Sequence, residues 1–588
     1  MCGIAGLMTA DGSAPPSAAI DMMLRALAHR GPDGEGRYAA GDVAFAQKRL
    51  AIIDLQTGDQ PLFGPGGTAL VANGEIYNYI ELRQEAHGYN FATHADCELP
   101  LFTYARDGGR FASGLRGMYG IALDDPKAPE LYLSRDPFGI KPLYYTEGTF
   151  GCAFASEPQA LIRAGLLSQR VVPEKARELL QLQFTTGDQT IFDGIKRVLP
   201  GETLGIRAGE IESRMRRAAF PGDGPIDIDE AYAITQLERV LLDSVMVHQR
   251  SDVPYGMFLS GGIDSSALLA CMARLNDRPV RAFTAGFPGT GVHDERTHAR
   301  NVARAAGAEH IEIEVTAQDF WRELPAIVAA MDDPAADYAI IPTYMLAKAA
   351  RRELKVVLCG EGGDELFGGY GRYRSAMRPW FLGGREMRRK GILDSLGVLR
   401  AENMAWRDGI AAAESEAGQP GRTKLQVAQA TDCADWLPHD LLLKLDRCLM
   451  AHGVEGRTPF LDPVVSNFAF RLPDRLKVQR RLGKYLLRKW LARALPEAKP
   501  FEPKRGFTVP VAEWISTKAV QLAPLVARSP GIAALCYPES VKALFESLAG
   551  NKRAGIACWQ LLFYALWHRI HIEGGRSDLS VMEALETA

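Results

Sequence analysis

Short apolar stretches broken by glycine-rich turns fill the first 210 residues. Ala69-Leu70-Val71-Ala72 runs into Asn73-Gly74, and Leu131-Tyr132-Leu133 runs into Ser134-Arg135-Asp136. Runs of this length between turn residues predict strands of a layered β-rich domain with a few helices. Gly201–Arg207 reads as its last strand. Ala219–Asp229, with Pro221, Gly222, Gly224 and Pro225, reads as a linker. From Glu230 the rhythm changes to strand and helix in alternation. Ala231–Val247, Ala267–Leu275, Glu295–Ala306 and Thr343–Arg352 carry helical spacing. Met257–Leu259, Val280–Phe287, His310–Val315 and Lys355–Leu358 read as strands between them. Such repeats imply a parallel sheet covered on both faces. Beyond Tyr370 the strand signals fade, and the chain from Ser375 onward reads as mostly helical. The predicted division is a first domain over 1–215, a linker over 216–229 and a second domain over 230–588.

Composition narrows the function classes. At 588 residues the chain is too long for one core. Hydrophobic residues at 47% and charged residues at 24% are ordinary for a globular protein. A net charge of −3 gives no footprint for a nucleic-acid partner. No apolar run reaches the roughly 18 residues of a membrane span, and the N-terminus lacks the pattern of a secretory signal. The nine cysteines are scattered, with no C-x-x-C pair. That argues against a disulfide framework or zinc ribbon and fits a reducing, cytoplasmic setting.

Two segments carry candidate chemistry. Cys2 becomes the first residue once Met1 is removed. Its α-amine, with a reference pKa of roughly 7.7–8.0, then lies beside its own thiol as a proton acceptor. An incidental cysteine near a terminus is the plain alternative. Far downstream, Val253–Ser266 has the form strand, glycine-serine loop, helix, with Ser260-Gly261-Gly262-Ile263-Asp264-Ser265-Ser266 at its centre. The glycines let backbone N–H groups approach phosphate, and the helix N-terminus favours negative charge. Asp264 would repel phosphate unless Mg²⁺ bridged them. A second strand runs into an acidic glycine-rich loop, Cys359-Gly360-Glu361-Gly362-Gly363-Asp364. Loops at the C-terminal edge of a parallel sheet are where such folds bind ligands.

Four further pieces accompany Cys2: Arg30-Gly31-Pro32-Asp33, Arg49-Leu50-Ala51-Ile52-Ile53, Asn73-Gly74-Glu75-Ile76-Tyr77-Asn78 and Ala95-Asp96-Cys97-Glu98. With them the first half resembles a class II glutamine amidotransferase domain. That resemblance implies the αββα sandwich of the N-terminal-nucleophile hydrolases. It also implies roles. Cys2 would attack the glutamine side-chain amide, and Asn73 and Gly74 would form the oxyanion hole. Arg49 would hold the α-carboxylate within the segment Leu50, Ala51, Ile52 and Ile53. Glu75 and Asp96 would recognise the amino-acid end, Asp96 pairing with the α-ammonium. The second half resembles the PP-loop ATP pyrophosphatases. Together with Lys444-Leu445-Asp446-Arg447, Gly453–Asp462 and Gly483-Lys484-Tyr485, nearly the whole chain resembles the asparagine synthetase family.

The resemblance implies ATP and Mg²⁺ as requirements. Asp264 and Asp364 would hold the metal on pyrophosphate. Phe258, Leu259, Ser260, Gly261, Gly262, Ser265, Ser266, Ala285, Cys359 and Gly360 would bind ATP, with Phe258, Ala285, Cys359 and Gly360 around the adenosine. Glu361 would take the proton as ammonia adds to the activated acid, and Lys484 would neutralise phosphate charge. Ammonia would pass through an internal tunnel, and a homodimer would be expected. Aspartate is the expected acceptor. The D/E-P…D…IPTY pattern over Met331–Tyr344 and the long Ser375–Thr431 segment touch the acceptor side, so a sugar uronate or natural-product acid stays open. Arg385, Arg388, Arg389 and Lys390 in that segment read as a solvated helical face. A non-catalytic scaffold is the reading that intact Cys2, Asp264, Glu361 and Lys484 oppose.

Overall fold

The computed structural model describes residues 2–379, 381, 384–401, 404–502, 508–548 and 551–586. The first half holds two six-stranded sheets. One runs in the order Lys196–Arg197, Tyr144–Gly148, Gly151–Ala155, Cys2–Thr9, Val43–Arg49, Gly34–Ala40. The other runs Glu210–Arg216, Glu202–Arg207, Glu130–Arg135, Gly117–Asp125, Ala69–Ile76, Leu62–Phe63. All their pairings are antiparallel. Strand alternation builds the layers. Ile4 and Met8 join Val71, Ala122 and Leu133 in one core. Ala5 and Leu7 join Met23 and Leu24 of the helix Ser17–Ala26 in another. On the far side Leu70 and Ala72 pack with Leu99 and Leu101 of the helix Leu99–Asp107. The result is the αββα sandwich, in which each fully buried aliphatic side chain contributes about 1.5–3 kcal/mol.

The second half is built on a five-stranded sheet, Glu309–Glu314, Arg281–Gly286, Tyr255–Phe258, Val356–Leu358, Glu455–Arg457, all parallel. Met257, Ala282, Val356 and Leu358 pack with Leu237, Leu268 and Leu269. Phe283, Ala285 and Val357 pack with Ile327, Val328, Ile340 and Ile341. Helices thus cover both faces, as the apolar runs require. The chain steps outward from Tyr255–Phe258 to Glu309–Glu314, then returns to the other flank at Val356–Leu358. That reversal opens a crevice at the carboxyl ends of the two central strands. Among the described residues no helix is long and apolar enough to cross a membrane.

Several local expectations differ from what is found. Asn73-Gly74 is not a turn but lies inside the strand Ala69–Ile76. Gly201–Arg207 is followed by one more strand, Glu210–Arg216, an edge strand whose residues alternate between exposed and half-buried. The helix Ala317–Ala330 and the three-residue strand Glu455–Arg457 are additional. The segment after Met377 is not uniformly helical: residues 384–401 form turns and bends with a β-bridge from Leu399 to Cys536, and a short 3₁₀ helix, Met404–Arg407, precedes the helix Asp408–Ala417. The solvated-face reading there needs correction at Arg388. Its guanidinium stacks 4.8 Å from the Trp436 ring and 5.2 Å from Phe184, with Asp432 at 3.9 Å. Arg385, Arg389 and Lys390 are exposed.

Candidate active site

Cys2 opens the central strand of the first sheet and stands opposite Arg49 in the antiparallel register. It is buried. Its backbone N–H donates to Asn73 Oδ1 at 3.0 Å. Asn73 Nδ2 is buried with no hydrogen-bond partner among the described residues. Gly74 follows where a Cβ would lie 2.1 Å from the Met118 carbonyl oxygen, so only glycine lets the two strands close there. Burial pushes the Cys2 thiol up, while the Leu50 backbone N–H and the Arg49 charge pull against it. A thiol held high stays protonated near neutral pH and needs a base to become nucleophilic.

The other residues expected to grip glutamine gather around this point. Arg49 donates to Asp59 at 2.6 Å and to the Asp54 carbonyl at 2.5 Å. Leu50 and Ile52 are buried, Ala51 and Ile53 half-buried, and the Ala51 N–H is fixed on Asp33 at 2.9 Å. Asp96 accepts from the Ile76 N–H at 2.7 Å. Glu75 faces Arg457 of the other half, 3.2 Å away. Burial, then Glu455 and Asp96, push the Glu75 carboxyl well above its usual range, and Arg457 opposes them.

The nucleotide-type loops converge at the crevice. A cavity of about 680 Å³ is lined by Ser260, Gly261, Gly262, Asp264, Asp364 and Lys484. An adjoining cavity of about 300 Å³ is lined by Phe258, Leu259, Ser265, Ala285, Cys359, Gly360 and Glu361, and shares Ser260, Asp264 and Asp364 with the first. Ser266 lines neither; it is buried in the helix Ile263–Leu275 behind the loop. Lys484 places its ammonium between Asp264 and Asp364, 2.7 Å from the latter. It sits at a left-handed φ of 57°, the kind of strain that persists where surroundings over-determine a position. At Gly369 a Cβ would meet Asp364 Oδ1 at 1.8 Å and Lys484 Cε at 2.4 Å. Glycine there is what allows the carboxylate and the lysine to meet. Two hard carboxylate oxygens beside exposed backbone suit Mg²⁺ completed by phosphate oxygens. Among the described residues no group of three or more His, Cys, Asp or Glu could hold a metal without such help.

Glu361 stands 3.8 Å from Lys444, which also contacts Asp337 at 3.2 Å. Burial pushes the Glu361 carboxyl up, Lys444 pulls it down, and Asp337, Asp264 and Asp364 push it up again. Asp337 and Glu361 keep Lys444 protonated against the cost of burial. Lys444, Asp446, Asp337 and Arg457 all lie in segments that carry the family resemblance, yet nothing in the sequence marks their individual roles; the position of Lys444 beside Glu361 emerges only from the folded helix Leu442–Met450.

The αββα unit with its N-terminal thiol, joined to a parallel sheet with two phosphate-type loops, defines a class: ATP-dependent carbon–nitrogen ligases that carry their own glutamine amidotransferase domain. The glutamine amidotransferase domain model matches residues 1–217 and the asparagine synthase model matches 236–569. Asparagine synthetase [glutamine-hydrolyzing] 1 of Bacillus subtilis (strain 168) is 34% identical over 97% of this chain and 97% of its own. The putative asparagine synthetase [glutamine-hydrolyzing] of Mycobacterium tuberculosis (strain ATCC 25618 / H37Rv) is 35% identical over 97% and 98%. Asparagine synthetase B [glutamine-hydrolyzing] of Escherichia coli (strain K12) is 29% identical over 84% and 79%. The chain belongs to the asparagine synthase family.

Proposed function

We propose that the protein is a glutamine-dependent asparagine synthetase that converts aspartate, ATP and glutamine to asparagine, AMP, pyrophosphate and glutamate. One observation carries the reading. The residues expected for both half-reactions gather at two sites of a chain that aligns over 97% of its length with a relative bearing that name, which supports the reading.

At the first site Cys2 Sγ attacks the glutamine amide carbon, its proton passing to the α-amine freed by removal of Met1. Asn73 Nδ2 and the Gly74 N–H receive the oxyanion. Arg49 exchanges Asp59, whose side chain is 79% exposed, for the substrate α-carboxylate. An exposed ion pair is worth little and yields readily. Glu75 and Asp96 recognise the amino-acid end of glutamine, Asp96 pairing with the α-ammonium. The adduct then collapses, the C–N bond breaks as the protonated α-amine returns its proton to the departing nitrogen, and ammonia moves to the second site; water hydrolyses the remaining thioester to glutamate and frees the thiol. Leu50, Ile52, Met118 and Ile140 form one apolar cluster with Met257 and Leu358 of the other half, which supports an unprotonated route between the sites.

At the second site the β-carboxylate of aspartate attacks the α-phosphorus of ATP, the α–β phosphoanhydride bond breaks, and pyrophosphate leaves the aspartyl-adenylate. Asp264 and Asp364 would hold Mg²⁺, which would supply charge neutralisation on the phosphates. The Lys484 ammonium, now between those two carboxylates, is placed to meet the phosphate oxygens. Phe258, Ala285, Cys359 and Gly360 wall the adenosine. Ammonia attacks the aspartyl carbonyl, Glu361 takes the proton, and AMP leaves.

The test is pyrophosphate release with Mg²⁺, ATP and glutamine, screening aspartate against a panel of other carboxylic acids. Asparagine detected by mass spectrometry with aspartate alone among the acids is the expected result. Turnover only with another acid would move the acceptor elsewhere while leaving both half-reactions in place.

A further inference from the structure

Arg30 is fully buried, and its Nε donates to the Cys2 carbonyl oxygen at 3.1 Å. Its other nitrogens do not bond chiefly within its own half. Nη1 donates to Asp446 Oδ2 at 2.8 Å and Nη2 to Asp446 Oδ1 at 3.0 Å, a two-pronged grip, while Nη1 also reaches Glu157 at 2.8 Å. Asp446 belongs to the helix Leu442–Met450 of the second half. Lys444, two residues earlier, points to Glu361 and Asp337. Two residues on an α-helix are about 200° apart around its axis, so one turn of helix serves both sites from opposite faces. Asp446 is itself held by Arg447 at 3.1 Å, and Arg447 is anchored on Asp332 at 2.7 Å. Burial opposes ionisation of Asp446, but Arg30 and then Arg447 hold its carboxyl below the usual range. The anchor is therefore a charged, bidentate and rigid one.

We infer that Asp446 is a positioning residue for glutamine hydrolysis, supplied by the synthetase half. It fixes the Arg30 guanidinium, which fixes the Cys2 carbonyl and so the direction of the thiol and amine on the same residue. A misplaced nucleophile loses rate without losing substrate, because a shift of about 1 Å can cost 10²-fold in turnover. This rests on the proposed role of Cys2 and on nothing about the acceptor acid.

The experiment uses the full chain. Glutamate release without acceptor, and amide synthesis from added ammonium, are measured for wild type, Asp446→Asn and Asp446→Glu. Asp446→Asn removes the charge at constant shape; Asp446→Glu keeps the charge and moves it by one methylene. The expected result is a glutaminase kcat about 10–100-fold lower in both. Glutamine KM stays within about threefold, the lower kcat holds across the pH profile, and ammonium-dependent synthesis is retained. Should Asp446→Asn not fold, Asp446→Glu alone decides. Unchanged glutaminase kcat in a folded variant, or equal loss of both activities, would overturn the inference. Absence of Cys2-dependent glutaminase in wild type would instead strike the functional reading beneath it.

Discussion

Replacing Asn73 by alanine separates chemistry from folding more cleanly than any other change at the first site. The side chain does two things. Its Oδ1 accepts the Cys2 N–H, and its Nδ2 is buried without a partner. An orphaned buried donor costs the fold about 1–3 kcal/mol. Alanine relieves that cost but strips Cys2 N–H of its acceptor, a loss of similar size. The two offset, so the thermal midpoint should move by only about 2–4 °C, equivalent to ~1 kcal/mol. Catalysis has no such compensation. Losing one oxyanion donor removes about 3–4 kcal/mol of transition-state stabilisation, or 10²–10³ in kcat. The assay is glutamate release across a glutamine series, with ammonium-dependent pyrophosphate release as the internal control. A kcat within tenfold of wild type would refute the oxyanion assignment. Parallel loss of the control activity and of thermal stability would make Asn73 a structural residue instead.

Lys484→Met should abolish ATP-dependent pyrophosphate release while glutamine hydrolysis continues, since the ion pairs of the Lys484 ammonium among the described residues are with Asp264 and Asp364 of the two glycine-rich loops; loss of glutaminase activity would break that division. Chelation of Mg²⁺ should stop pyrophosphate release and spare glutamate release, and Asp364→Asn should raise the Mg²⁺ concentration needed for half-maximal rate; a rate independent of Mg²⁺ would remove the metal from this site. Glu361→Gln should keep adenylation but slow amide formation by about 10²–10⁴, the range of a lost general base, seen as pyrophosphate released without matching amide; equal losses would point to a binding role. Burial lowers His248 from 6.5 to about 3, so the unfolded chain binds a proton in that window that the folded chain does not. Stability should be intact above about pH 6.5 and fall as the pH drops toward 3, and His248→Gln should flatten that slope in thermal melts; an unaltered slope would mean His248 already titrates normally.

Most of the architecture was legible wherever local pattern and tertiary role agree. The central strands of the parallel sheet are continuous apolar runs because both faces are covered, so Met257-Phe258-Leu259 and Val356-Val357-Leu358 announce themselves. Glu455-Gly456-Arg457 does not, since its two charged side chains are buried by pairing with each other, with Glu75 across the halves, and with the His248 and Arg250 carbonyls. Asn73-Gly74 has the local signature of a hairpin turn, yet eight register pairs with Gly117–Asp125 hold it extended. Arg388 looked like solvent-facing charge because nothing adjacent in sequence reveals Trp436 and Phe184. The residues that touch substrate in the proposed mechanism lay in recognisable motifs. Those that support them, Lys444, Asp446 and Arg457, lie in such motifs too, but the partners that give them their place (Glu361 and Asp337, Arg30, Glu75) lie in distant segments, and sequence spacing carries no trace of those partnerships.

The contact of Glu75 with Arg457 bears on how such proteins can be rebuilt. Glu75 lies in the segment matched by the amidotransferase model, Arg457 in the segment matched by the synthase model. Arg457 has a second partner in its own half, Glu455 at 2.6 Å, whereas the ion-pair partner of Glu75 belongs to the other half. A chimera that keeps the first half, the segment up to about residue 217, and exchanges the other covers the Glu75 carboxylate without its counter-ion unless the arginine travels too. Breaking a buried pair by removing one partner costs about 3–5 kcal/mol, a large share of a domain's stability. The boundary is therefore a seam in sequence but not in charge. Recombination across it is constrained to matched halves, and designers seeking to graft a new acceptor specificity should cut inside the synthetase half rather than at its edge.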